Sequence, residues 1–281
     1  MGRSVGARAA AFAVMALLVG AGSACATGGG GHSSTSPTPV KVFDSNLSPL
    51  PGNVHSQGFE CCEVNEFGDE VQLAGTARKL RSATVTMSIW SLLSDYQSYG
   101  YHDPSGWDQA LTLNLYNVSA DNTQIGTKIK SVQTVVHLPW RPETGGCVDA
   151  TAWKAGDGVC YHGLAHEVTF DLSHQNITVP NKFVWTISFN TSSYGANPIG
   201  AHGPYDSLNV GAQGNGATTG TDVQPDKAWL SSPANAPDLG YPFCDHGAAG
   251  VSLRPDGFCL FGPDQESHWT GWTPEISFSA V

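Results

Sequence analysis

Four stretches of this chain alternate apolar and polar side chains with a period of two, and no other feature limits its possible folds so sharply. In 83–90, Ala83, Val85, Met87 and Ile89 fall on one side, Thr84, Thr86 and Ser88 on the other. In 111–116, Leu111, Leu113 and Leu115 oppose Thr112, Asn114 and Tyr116; in 183–189, Phe183, Trp185, Ile187 and Phe189 oppose Val184, Thr186 and Ser188. Ile276, Phe278 and Ala280 alternate with Ser277 and Ser279. Successive side chains of a strand point to opposite faces, so this pattern predicts antiparallel strands with one face buried. Shorter strand candidates lie at 40–43, 70–75, 125–137, 166–171 and 207–210, and only 90–96 could hold a turn or two of helix. The 33 Gly and 17 Pro punctuate the intervals as turns. The expected fold is all-β: a two-sheet antiparallel sandwich, jelly-roll or immunoglobulin-like, with long disulfide-pinned loops. The first and last strand candidates lie at the two ends of the domain, which places those ends close together on paired strands.

Residues 1–26 read as a signal peptide. Arg3 and Arg8 precede an apolar run, Ala9 to Ala21, shorter than the about 20 residues of a permanent span. Ala24-Cys25-Ala26 fits a small-x-small cleavage pattern. Gly22-Ser23-Ala24-Cys25 also resembles a lipobox, departing from it at Gly22, where a Leu-like residue is usual. Plain secretion and lipid anchorage through Cys25 both stay open, and any membrane contact is expected only through that lipid. Residues 27–39, TGGGGHSSTSPTP, hold nothing to bury and read as a flexible tether. Residues 40–281 then form a single β-sandwich domain, within the range of one large core. From Gly195 to Gly271 strand signals are sparse, broken by SLNVGA and KAWL; irregular chain of that length usually binds something or is pinned covalently. The chain carries 13 Lys and Arg against 24 Asp and Glu, an acidic balance that argues against nucleic acid or anionic lipid as a partner.

With Cys25 set aside, six cysteines remain: Cys61, Cys62, Cys147, Cys160, Cys244 and Cys259. An even number in an exported chain indicates disulfides. Short loops favour Cys147–Cys160 and Cys244–Cys259, leaving Cys61 and Cys62 as a vicinal pair, as two thiols, or as partners for something elsewhere. No Cys-x-x-Cys occurs, which weighs against zinc.

Reaction motifs are absent: there is no Gly-x-Ser-x-Gly elbow, and the Gly-rich 211–216 does not open a helix after a strand. The densest carboxylate cluster is Glu66, Asp69 and Glu70. Its spacing misses the Glu-x-Asp-x-x-Glu pattern of one group of sandwich glycosidases; hard oxygens at a strand start suit a structural calcium held by Glu66 and Asp69, and a solvated turn is the plain alternative. His162 and His166 are four apart with Gly163 between, and read as ordinary histidines rather than a metal pair. Trp107, Trp153, Trp269 and Trp272 sit in Gly-, Asp- or Pro-rich contexts where a loop indole can stack on a sugar ring or cap the core, with Trp269 and Trp272 of HWTGWTP the best pair. Trp90, Trp140 and Trp185 are assigned to packing.

The ordered segments LSPLPGNVHSQGFE, EFGDEVQLAGTARKL, ATVTMSIWS, LPWRPETGGC, VTFDL, SFNTSSYGANPIG and GPYDSLNVG, over about residues 42–230, resemble a family of exported bacterial β-sandwich proteins, some ending in a surface-sorting anchor. The resemblance implies architecture and location and no reaction. This chain departs from it by showing no sorting tail before Val281, which returns any anchor to Cys25, and at Cys61-Cys62. The reading that results is a secreted or cell-surface β-sandwich, read first as a non-catalytic module binding an extracellular glycan or cell wall. The alternatives are a structural or adhesive surface protein, and a polysaccharide hydrolase or lyase using Glu66, Asp69 or Asp206.

Overall fold

The computed structural model describes residues 37–118, 125–225, 228–231 and 272–281. Its strands are β1 (Val40–Asp44), β2 (His55–Gly58), β3 (Glu66–Gln72), β4 (Leu80–Ile89), β5 (Trp107–Val118), β6 (Ile125–Leu138), β7 (Trp153–Lys154), β8 (Cys160–Tyr161), β9 (Leu164–Asp171), β10 (Lys182–Ser188), β11 (Leu208–Gln213), β12 (Thr221–Asp222), β13 (Trp229–Ser231), β14 (Thr273–Pro274) and β15 (Ile276–Ala280). One short helix, α1 (Leu93–Tyr96), and three 3₁₀ turns are the helical elements among the described residues.

Two antiparallel sheets pack face to face. Sheet A runs β1-β15-β4-β11-β14, with β9 on β4 and β2 on β11; sheet B runs β12-β3-β10-β5-β6, with β13 also on β3. The chain ends of the domain pair directly, Val40 opposite Ala280 and Asp44 opposite Ser277. The alternating runs supply the interior. Ala83, Val85, Met87 and Ile89 of β4, Leu111, Leu113 and Leu115 of β5, Phe183, Trp185 and Ile187 of β10, and Ile276 and Phe278 of β15 are all buried in one cluster. Phe183 of sheet B meets Phe278 of sheet A edge to face at 5.3 Å, a geometry aromatic quadrupoles favour.

β3 begins at Glu66, four residues before the strand expected at 70–75. Its carboxylates hid it: Asp69 and Glu70 are both buried. Between β1 and β2, residues 45–54 run across the outer side of sheet A. Ser45 Oγ donates to the Pro274 carbonyl (2.8 Å), and the Asn46 amide donates to the Thr84 carbonyl (3.0 Å).

Cys147 and Cys160 form a disulfide, and Cys61 and Cys62 form a vicinal one. Cys244 and Cys259 lie outside the described residues.

Candidate functional site

The strand parity that builds the core also decides which tryptophans can reach a ligand. Trp107 opens β5 in phase with Leu111, Leu113 and Leu115, so it faces inward; it is buried and packs on Trp140 at 4.8 Å. Its placement on a binding loop is therefore corrected: it is a core residue. Trp90 follows β4 in phase with Thr84, Thr86 and Ser88, so it faces outward and is 42% exposed. Its assignment to packing is corrected in turn.

Trp90 lies in a cleft of about 550 Å³ on the outer side of sheet A, whose other aromatic walls are His55, Tyr161, His162 and Trp272. Each is held from behind. The Trp90 indole N–H donates to Ser88 Oγ (2.9 Å), and that hydroxyl donates to Asn53 Oδ1 (2.7 Å). The Trp90 and His162 rings are parallel to within 6° with centroids 6.4 Å apart, and Trp272 meets His55 at 4.1 Å. Asn53, Asn209, Gln213 and Asn215 supply amides around the rings. Among the described residues lining this cleft there is no carboxylate.

The hairpin of β7 and β8 forms one wall. The Cys147–Cys160 disulfide ties its turn end, where Cys160 pairs with Lys154, to the preceding chain, and Cys160 itself borders the cleft. Trp153 stands behind this wall: its indole N–H donates to the Gly163 carbonyl (2.8 Å) and its ring leans on Tyr161 at 6.2 Å. Asp149 sits 3.2 Å from His162 Nε2 and accepts from the Thr151 hydroxyl and amide, which holds its carboxyl below the usual range. Gly52 and Gly163 let segment 52–54 press against this hairpin: a Cβ at Gly52 would lie 2.5 Å from the Tyr161 ring, and one at Gly163 2.5 Å from the Asn53 amide. His162 and His166 do not converge, because His166 sits opposite Met87 on β9, within sheet A. Of the predicted tryptophans, Trp272 lines the cleft, Trp153 buttresses it, and Trp269 is outside the described residues.

The carboxylates separate. Glu66 and Asp69 are three apart on β3, an odd interval that sends them to opposite faces. Glu66 points outward and accepts from Thr186 Oγ1 (2.6 Å) and Tyr116 Oη (2.9 Å); burial nevertheless holds its carboxyl above the usual range. Asp69 points inward opposite Trp185, and burial, reinforced by the charge of Asp222, pushes it well up. A calcium shared by Glu66 and Asp69 is therefore ruled out by strand geometry. Among the described residues no group of three or more His, Cys, Asp and Glu side chains gathers as a metal site.

Glu66 and Asp108 do line one cleft of about 540 Å³ on the outer face of sheet B. Glu66 shares a cross-strand row with Ser188 and Thr112, two strands away, and Asp108 is four residues further along β5. At ~4.8 Å per strand and ~3.4 Å per residue the two are ~16 Å apart, beyond the ~5–9.5 Å of paired glycosidase acids. Asp206 is committed elsewhere, accepting from the Ser192 amide (2.7 Å) and the Gly203 amide (3.3 Å). The three candidate acids do not converge.

The architecture defines an all-β, two-sheet antiparallel sandwich stapled by disulfides. A scan of protein-family models, a search of curated proteins and a search of solved structures find no match to the chain.

Proposed function

We propose that this protein is an exported, non-catalytic glycan-binding module whose site is the aromatic cleft of Trp90, Trp272, Tyr161, His55 and His162. The observation that carries the reading is the composition of that cleft: flat rings, one of them the 42% exposed Trp90, bordered by amide side chains. Sugar rings present C–H faces that stack on indoles, and hydroxyls that amides both donate to and accept from. The separation of Glu66, Asp69 and Asp206 supports binding over hydrolysis. The signal-like 1–26, the acidic balance and the ordered motif resemblance support an extracellular location, free or lipid-anchored through Cys25.

The test is a pull-down and titration of purified protein against insoluble polysaccharides and cell-wall preparations, with reducing-sugar release read from the same tubes. Retention that falls at least tenfold in Trp90→Ala and Trp272→Ala, without release, is the expected result. Retention unchanged in both variants removes the cleft as the site. Sugar release would put the hydrolase first.

A further inference from the structure

On the outer side of sheet A, under the 45–54 segment, several side-chain oxygens gather along one cross-strand row. β9 and β15 flank β4, and Glu275 is the residue immediately before β15. Glu167 of β9 is registered opposite Thr86, and Glu275 lies on the other side of Thr86, whose amide donates to the Glu275 carbonyl (3.2 Å). Residues opposite each other on neighbouring strands share a face, so Glu167, Thr86 and Glu275 form one row. The charges of the two glutamates interact.

Glu275 is fully buried, yet only one of its oxygens is engaged: Oε2 accepts from the Leu47 amide at 3.4 Å, and Oε1 has no partner. The Thr86 hydroxyl, also buried, is the side chain that hydrogen-bonds the Glu275 carboxyl, though outside normal hydrogen-bond geometry. Asn46 adds a third buried oxygen, Oδ1, without a partner. Its orientation is set, because Asn46 Nδ2 donates to the Thr84 carbonyl and to Glu167 Oε1 (3.5 Å). Lys41, the one basic side chain among the described residues lining the adjoining cavity, is taken by Asp44 at 2.6 Å. Buried polar atoms are nearly always paired, and orphans that cluster indicate a missing ion or water.

We infer that Glu275, Glu167, Asn46 Oδ1 and Thr86 Oγ1 form a calcium site that clamps the 45–54 segment onto sheet A. The donors are all hard oxygens, two carboxylates, an amide and a hydroxyl, and water can complete the six to eight ligands calcium takes. A soft-ligand metal is disfavoured because no Cys or His contributes.

The test is thermal unfolding and calorimetric titration of the full chain after chelator treatment, with CaCl₂ added to ~10 mM, some 10–100 times the Kd typical of extracellular modules. The midpoint is expected to rise by about 3–10 °C, with one calcium bound. Glu275→Gln, nearly isosteric with the protonated acid, is expected to fold and lose the response. Glu167→Gln, an exposed change on β9, is expected to weaken binding at least tenfold. The inference is overturned by no shift in the wild type at ~10 mM calcium, or by an undiminished response in both variants. It is equally overturned if Glu275→Gln raises the midpoint while the wild type ignores calcium, since Glu275 would then be a buried neutral acid. No glycan enters this experiment, so its outcome is independent of the proposed function.

Discussion

Replacing Cys147 and Cys160 by serine should loosen one wall of the aromatic cleft and destabilise the whole sandwich. The disulfide joins residues 13 apart, and a loop of that size removes about 10 cal/mol/K from the unfolded chain, or ~3 kcal/mol at 25 °C. For a domain of this length 1 kcal/mol moves the midpoint by ~2–4 °C, so the double variant should melt ~6–12 °C lower. That value holds only if the hairpin unfolds together with the sheets. The contacts favouring such coupling are the Trp153–Gly163 hydrogen bond at 2.8 Å and the packing of Tyr161 against Gly52. Circular-dichroism melts without reductant give the measurement, and serine variants leave the Cys61–Cys62 pair untouched. A fall of less than about 2 °C, with the hairpin newly cut by protease in the native state, would refute the reasoning. The hairpin would then be a locally opening flap.

The corrected role of Trp107 predicts a stability defect without a binding defect: Trp107→Ala should cost ~3–5 kcal/mol in urea unfolding, while the folded protein keeps any glycan affinity. Asp69 predicts a pH effect. Its raised folded pKa means the native state keeps a proton the unfolded chain releases above ~3.9, so stability falls as pH rises from there through the raised value. Asp69→Asn should therefore raise the melting midpoint more at pH 8 than at pH 5, and an equal gain at both would count against that assignment.

The fold was readable because strand alternation is a local signal with a global consequence. The expected 276–280 coincides with β15, 125–137 with β6 to within one residue, and 83–90 and 183–189 with β4 and β10 to within three. β3 was displaced because Glu66, Asp69 and Glu70 look solvated in one dimension and are screened by Thr186, Tyr116 and neighbouring strands in three. β2 was missed because His55, Ser56, Gln57 and Gly58 carry no apolar period. The site was harder to see, because its walls come from residues 53–56, 90, 160–162, 209–215 and 272, brought together only by sheet A and a disulfide. One clue was present: extending the parity of each run by one or two steps puts Trp90 outside and Trp107 inside. Loop composition pointed the other way for Trp107 and strand-end position did so for Trp90, and parity was the better guide.

The position of β15 bears on how such a chain can be made. Residues 276–280 lie between β1 and β4 rather than at a margin, and Ser45 reaches 231 residues along the chain to the Ile276 carbonyl. Synthesis from the N-terminus therefore delivers an interior slat of sheet A after β1, β4, β9 and β11 have already emerged. Until then β4 and β1 present unsatisfied backbone edges to whatever surrounds them, a state prone to misassociation. Closure at so large a separation is also intrinsically slow. A chain cut before Ile276 is thus no shortened sandwich but one with a gap through its middle, and the yield of folded protein should depend on what shields that gap while it lasts.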